Sequence, residues 1–131
     1  MRELRFKAVA LDTSKWIEGY GVCLNTKEDL ANIFHKQGIN LMQATAVYPE
    51  SICEYAGIGN IFEKQEIKNE KEKVTGYVEF DEGAFSLKIT SSNTDEMDVG
   101  QSIPLFEFLE EELILTGRNT YENPDVLTPK I

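Results

Sequence analysis

The sequence is poor in the residues that most often carry chemistry. It holds one histidine and two cysteines in 131 residues. His35, Cys23 and Cys53 stand far apart, with no C-x-x-C or H-x-x-x-H spacing, so a four-ligand metal centre has no local framework. Both cysteines read as small buried residues, and a disulfide between them requires a non-reducing compartment. A Cys–His dyad through His35 stays open, although neither cysteine stands beside a basic cluster. No apolar run approaches the ~18 residues of a membrane span, and Met1–Lys7 lacks the apolar core of a secretory signal. Positive charge is scarce as well. Thirteen Lys+Arg face 23 Asp+Glu, a net charge of −10, which argues against direct nucleic-acid binding through a basic field. The expectation is one acidic, cytoplasmic domain with no metal, no cofactor and no membrane partner.

Other signatures are incomplete or uninformative. Gly57-Ile58-Gly59 begins a phosphate-loop pattern, but no G-x-G-x-x-G or G-x-x-x-x-G-K-[ST] completes it. Carboxylate pairs are so plentiful that none marks a glycosidase-type site. The charge is unevenly spread: residues 1–94 carry a net −3 and residues 95–131 a net −7. One reading is a solvated acidic face; the other is an acidic surface that attracts a basic partner, as a nucleic-acid mimic does.

Periodicity predicts a mainly β chain with two short helices. Glu3 to Ala10 alternates charged and apolar residues, the period-2 pattern of a strand. Trp16-Ile17 with Tyr20-Gly21-Val22 gives a second strand and an N-terminal meander. Thr26 as cap, Leu30, Ile33 and Phe34 at helical spacing, and Gly38 as stop predict a helix. Leu41–Val47 is a strand candidate. Glu63–Lys73 holds eight charges, four of each sign, and reads as an exposed helix turn or a hairpin tip, a poor docking patch for any polyion. Val74–Phe80 and Ala84–Thr90 form a hairpin around Asp81-Glu82-Gly83, a three-residue loop of type I turn plus left-handed glycine. Ser102 and Pro104 begin a second helix, whose Leu105, Phe106, Phe108, Leu109 and Leu113 span an arc of about 160°. That face is a core contact, or in part a subunit contact through Phe106, Phe108 and Leu109. Leu113–Thr116 is a short buried strand, and the tail from Leu127 frays. Arg118, the one cation of its segment, either binds a carboxylate ligand or neutralises nearby Glu and anchors the tail.

Several segments then resemble one family. Met1-Arg2-Glu3-Leu4-Arg5-Phe6-Lys7-Ala8 is similar to the opening of the YopX-like proteins of bacteriophages and prophages. Pro49 to Ile58 looks like their P-E-T-v-g-q-Y-T-G-L element, and Ile61-Phe62-Glu63 like the following I-Y-E. Gly76–Phe80 through Gly83–Phe85 resembles their central hairpin. Leu113–Leu127 resembles their closing segment, with Y-E-N-P intact as Tyr121-Glu122-Asn123-Pro124. The order is kept over nearly the whole chain. The turn at Gly59-Asn60 is shortened, and Lys64-Gln65-Glu66-Ile67 replaces the usual G-D-I-V, so the chain reads as a divergent member.

The resemblance implies a single YopX-like domain over residues 1–131, with an SH3-type β-barrel core and added helical segments. It implies no established enzymatic activity, no cofactor and an undefined biochemical role. Tyr55, Gly57, Gly117, Arg118, Asn119, Tyr121, Glu122, Asn123 and Pro124 are then motif residues with a structural or interaction role. Gly57 and Gly117 are expected in left-handed backbone or close approach, and Tyr121 is expected to bury its ring. The functional expectation is a non-enzymatic phage accessory protein acting by protein–protein contact with itself or with a host or phage protein. The alternatives are an acidic nucleic-acid mimic and, last, a hydrolase using Cys23 or Cys53 with His35.

Overall fold

The computed structural model describes residues 5–25, 27–36 and 42–130. They fall into two compact units, Met1–Gly57 and Ile58–Ile131, each built from antiparallel β-sheet. The mainly β expectation holds, while the two helices do not form.

The first unit contains β1 (Phe6–Val9), β2 (Trp16–Gly19), β3 (Gly21–Asn25), β4 (Leu30–Lys36), β5 (Met42–Val47) and the two-residue β6 (Cys53–Glu54). They make two three-stranded sheets, ordered β2-β1-β6 and β3-β4-β5. The expected second strand is thus two strands of different sheets, parted at Tyr20, whose N–H donates to Phe34 O at 3.0 Å. Two more backbone bonds stitch the sheets: Leu11 N to Ala46 O and Tyr48 N to Val9 O, both 3.0 Å. Ala8, Ala31, Ile33 and Val47 form the core, with Phe6, Ile17, Val22 and Ile52 packed around them.

Most of the predicted first helix is β4. The spacing of Leu30, Ile33 and Phe34 fits a helix, but the same stretch also alternates, burying Ala31 and Ile33 on one face and leaving Leu30 exposed. Asn, Ile, Phe and His are mediocre helix formers, and the branched and aromatic ones pack well on a pleated surface. Pairing on both sides, with β3 and with β5, settles the choice. Asp29 has φ +52° and belongs to the turn that leads into β4. Thr26, Gly38 and Leu41 lie outside the described residues, as do Met1–Leu4 of the opening motif.

The second unit contains β7 (Gln65–Asn69), β8 (Val74–Asp81), β9 (Ala84–Ser92), β10 (Ser102–Pro104) and β11 (Ile114–Asn119). Their order is β10-β9-β8-β7-β11: a four-strand meander onto whose first strand β11 returns. Among the described residues β10 and β11 do not pair, so the sheet is open. Alternation gives it an inner face with cross-strand rows Ile67–Gly76–Ile89 and Val78–Leu87–Ile103. Ile67, Val78, Leu87 and Ile89 are almost fully buried. Gly76 is required in its row: a Cβ there would lie 2.2 Å from Lys88 O.

The predicted hairpin is β8–β9, with a shorter loop than expected. Asp81 pairs with Ala84, and Glu82 and Gly83 have φ +49° and +85°. Two consecutive positive φ values make a type I′ turn, whose twist matches the strands it joins. The charged run Glu63–Lys73 supplies both β7 and the hairpin tip, so only part of it is the exposed loop that its composition suggests.

The second predicted helix is replaced by β10 and two 3-10 turns, Leu105–Glu107 and Glu110–Glu112. Ile103 pairs with Leu87, which draws the chain out extended through Pro104 (ψ 136°). A helix would also stack Glu107 against Glu110 and Glu111, like-charge pairs three and four residues apart. Ile103, Leu105 and Phe108 turn inward, and Phe106 and Leu109 outward. Leu113–Thr116 is not a buried strand either: Ile114 and Leu115 belong to an edge strand and are 46% and 40% exposed.

Candidate functional site

The motif residues near the C-terminus converge on one cluster of hydrogen bonds. β11 carries Thr116, Arg118 and Asn119 along the flank of β7. Gly117 between them has φ +89°, where the pairing with β7 shifts register. Glu66 of β7 is 5% exposed, an expensive place for a carboxylate unless it is bonded. Thr116 Oγ1 donates to Glu66 Oε1 at 2.8 Å, and Arg118 Nη1 lies 3.9 Å from Glu66 Oε2. The other arm of the Arg118 guanidinium hydrogen-bonds Asp125. That bond, the largest influence on both groups, holds Asp125 below the usual carboxylate range and raises Arg118. Arg118 thus ties β11 to Asp125 of the tail and stands beside Glu66.

Asn119 organises the turn that follows. Its Nδ2 donates to Glu122 Oε1 and its Oδ1 accepts from Glu122 N, each at 2.8 Å. Asn123 Oδ1 accepts from Asn119 N at 3.3 Å, and Asn123 N donates to Asn119 O at 2.9 Å. Pro124 then opens a 3-10 turn, Pro124–Leu127, that buries Val126. The tail expected to fray is tied as far as Lys130, whose N–H donates to Thr90 O at 2.7 Å. Tyr121 is half-buried, so its ring is less enclosed than the motif suggests.

Tyr55 and Gly57 lie in the first unit, outside this cluster. Tyr55 is buried, its N–H donates to Arg5 O at 2.8 Å, and the Arg5 guanidinium sits 4.6 Å over its ring. Arg5 also pairs with Glu18 at 3.1 Å on the wall of a shallow cleft of about 310 Å³ that Tyr20 and His35 share. Gly57 has φ +85° with open space around it.

The proposed subunit-contact residues separate. Phe106 is 78% exposed and Leu109 54%, whereas Phe108 is buried at 7% and belongs to the core. A 3-10 turn points neighbours in directions that a helix would have aligned. Ile114 and Leu115 join the exposed set, which the sequence pattern misses because a short apolar run reads as interior.

The Cys–His arrangement is not assembled around Cys23. Cys23 pairs with Asn32 and His35 lies three residues further on, so strand alternation puts the two on opposite faces. His35 Nε2 is 2.8 Å from Thr45 Oγ1. Cys53 is buried and its thiol donates to Ser51 O at 3.2 Å. No disulfide joins the two cysteines. Among the described residues no cluster of His, Cys, Asp and Glu forms a metal-ligand set, and no helix is long and apolar enough to cross a membrane.

Compared with known proteins, the chain matches no protein-family model, no curated protein and no solved structure.

Proposed function

We infer that the chain is a non-enzymatic phage or prophage accessory protein of YopX-like type, acting in the host cytoplasm by protein–protein contact and associating with copies of itself. The SH3-type barrel that this resemblance implies would take the five strands β7–β11 as its core. What supports contact as the mode of action is the ten-residue stretch Phe106–Leu115, which exposes Phe106, Leu109, Ile114 and Leu115. Scattered exposed apolar residues need no explanation, but four in one stretch beside a free sheet edge suit association. Light scattering on a sizing column is the test. Self-association requires a species larger than the monomer that shrinks in the Phe106→Ser/Leu109→Ser double variant, and a strict monomer at high concentration removes it.

The second reading is an acidic surface that mimics nucleic acid and blocks a basic host protein. Glu107, Glu110 and Glu111 favour it, because all three are exposed among those apolar residues. It requires capture of a basic protein that is released by salt; partners indifferent to salt count against it. A Cys23–His35 dyad is not proposed, since the two face opposite ways.

A further inference from the structure

A sheet edge is a template for further pairing, and this chain blunts every edge but one among its described strands. β2 carries Glu18, paired with Arg5, and β6 has only two residues. β10 is three residues long and ends in Pro104. β11 loses register with β7 between Leu115 and Asn119. The far side of β5 is taken: Ala46 O accepts from Leu11 N at 3.0 Å, and Val47 bridges Ala10.

β3 has none of these devices. Gly21–Asn25 keeps register with β4 over all five residues and holds no charge and no proline. Among the described residues no strand pairs with its other edge. Leu24 lies beside Ala31 on the core face, yet Leu24 is 58% exposed and Ala31 1%. Val22 shares that face and packs against the core. Cys23, in the middle of the strand, is exposed on the other face.

We propose that two copies of the chain pair through β3, antiparallel and edge to edge, joining their β3-β4-β5 sheets into one. The strand itself argues for a second copy as the occupant. Antiparallel pairing about Cys23 sets Gly21 opposite Asn25, Val22 opposite Leu24, and Cys23 opposite its own counterpart, so all five residues are used. The exposed Leu24 of each copy is then covered by Val22 of the other, an apolar cross-strand pair made twice by symmetry. Charge points the same way. Each chain carries −10, so copies repel wherever their acidic surfaces face each other. β3 gives them a meeting line with no charge on it, and gives a charged segment of another protein nothing to pair with. The contact rests on the self-association inferred above and adds to it a second face, in the first unit.

The test joins light scattering on a sizing column with cross-linking of the whole chain. In the Phe106→Ser/Leu109→Ser variant the β3 contact should leave a dimer, and adding Leu24→Lys should leave a monomer with unchanged circular dichroism. Position 24 is exposed, so lysine there keeps the fold while blocking the edge. Opposed residues of an antiparallel pair lie about 4.5–5.5 Å apart at Cα, within the span of a disulfide. A diazene oxidant, which takes two protons and two electrons from two thiols, should therefore join Cys23 to Cys23 of the second copy. That bond should form about tenfold faster in the parent than in Leu24→Lys, and not at all in Cys23→Ser. A dimer that survives Leu24→Lys, or equal cross-linking rates, overturns the proposal and leaves self-association to another face. A Phe106→Ser/Leu109→Ser variant that is monomeric beside a larger parent assigns all association to Phe106–Leu115 and overturns it as well. A monomeric parent removes the self-association reading and this contact together, leaving the edge to a strand of another protein.

Discussion

Asn119 and Glu122 hold each other twice, side chain to side chain and side chain to backbone, with both bonds at 2.8 Å. This reciprocal pair gives the Y-E-N-P segment its shape, because it fixes the turn between the end of β11 and Pro124. An aspartate at this position would keep the acceptor but set a carboxylate against Glu122. Asn119→Asp should therefore destabilise the protein by about 2 kcal/mol, the cost of a lost bond and an unfavourable charge. Urea unfolding measures it, and adding Glu122→Gln to the Asn119→Asp variant should recover part of the loss.

The Asp125–Arg118 bond predicts an acid-sensitive component of stability. The folded pKa of Asp125 lies below its ordinary value, so its contribution is present above pH ~4 and is lost as pH falls through the folded pKa. In thermal melts the parent should exceed Asp125→Asn at pH 7, and the two should converge once the pH has fallen through the lowered pKa of folded Asp125. A gap that persists in acid would mean that the pair does not link protonation to folding.

Phe106 and Phe108 stand two residues apart and should behave oppositely. Phe108→Ala should cost about 3–5 kcal/mol through the cavity it leaves. Phe106→Ser should change stability by less than ~0.5 kcal/mol while reducing any self-association. Denaturant unfolding and light scattering on both variants check the two halves.

Gly76 has no room for a side chain between β8 and β9. Gly76→Ala should destabilise by about 1–3 kcal/mol or more, as an overpacked site does. The amides of Val78 and Leu87 should lose hydrogen-exchange protection first.

Much of the strand content is legible in the sequence where apolar residues alternate, as in Phe6–Val9 and the β8–β9 hairpin. The pattern misleads where one stretch fits two periods. Leu30, Ile33 and Phe34 satisfy helical spacing, and only the sheet partners on both sides of β4 decide against it. The glutamates after Pro104 resemble a helix face until their mutual repulsion and the Ile103–Leu87 pairing are taken together. At the cluster around Arg118, the turn residues Asn119 to Pro124 are recognisable from their chemistry. Their partner is not, because Glu66 sits inside a charge run that looks wholly solvated.

The bond between Thr116 and Glu66 spans fifty residues of chain. Hairpins β7–β8 and β8–β9 close over short loops and can form early, whereas β11 must find β7 after the whole meander exists. Until it does, β7 is an open edge with an unpaired carboxylate. That carboxylate discourages edge-to-edge sticking while the last strand is on its way. A chain still emerging from the ribosome would meet this interval every time, so Glu66→Leu should be tolerated better by the finished protein than by its synthesis.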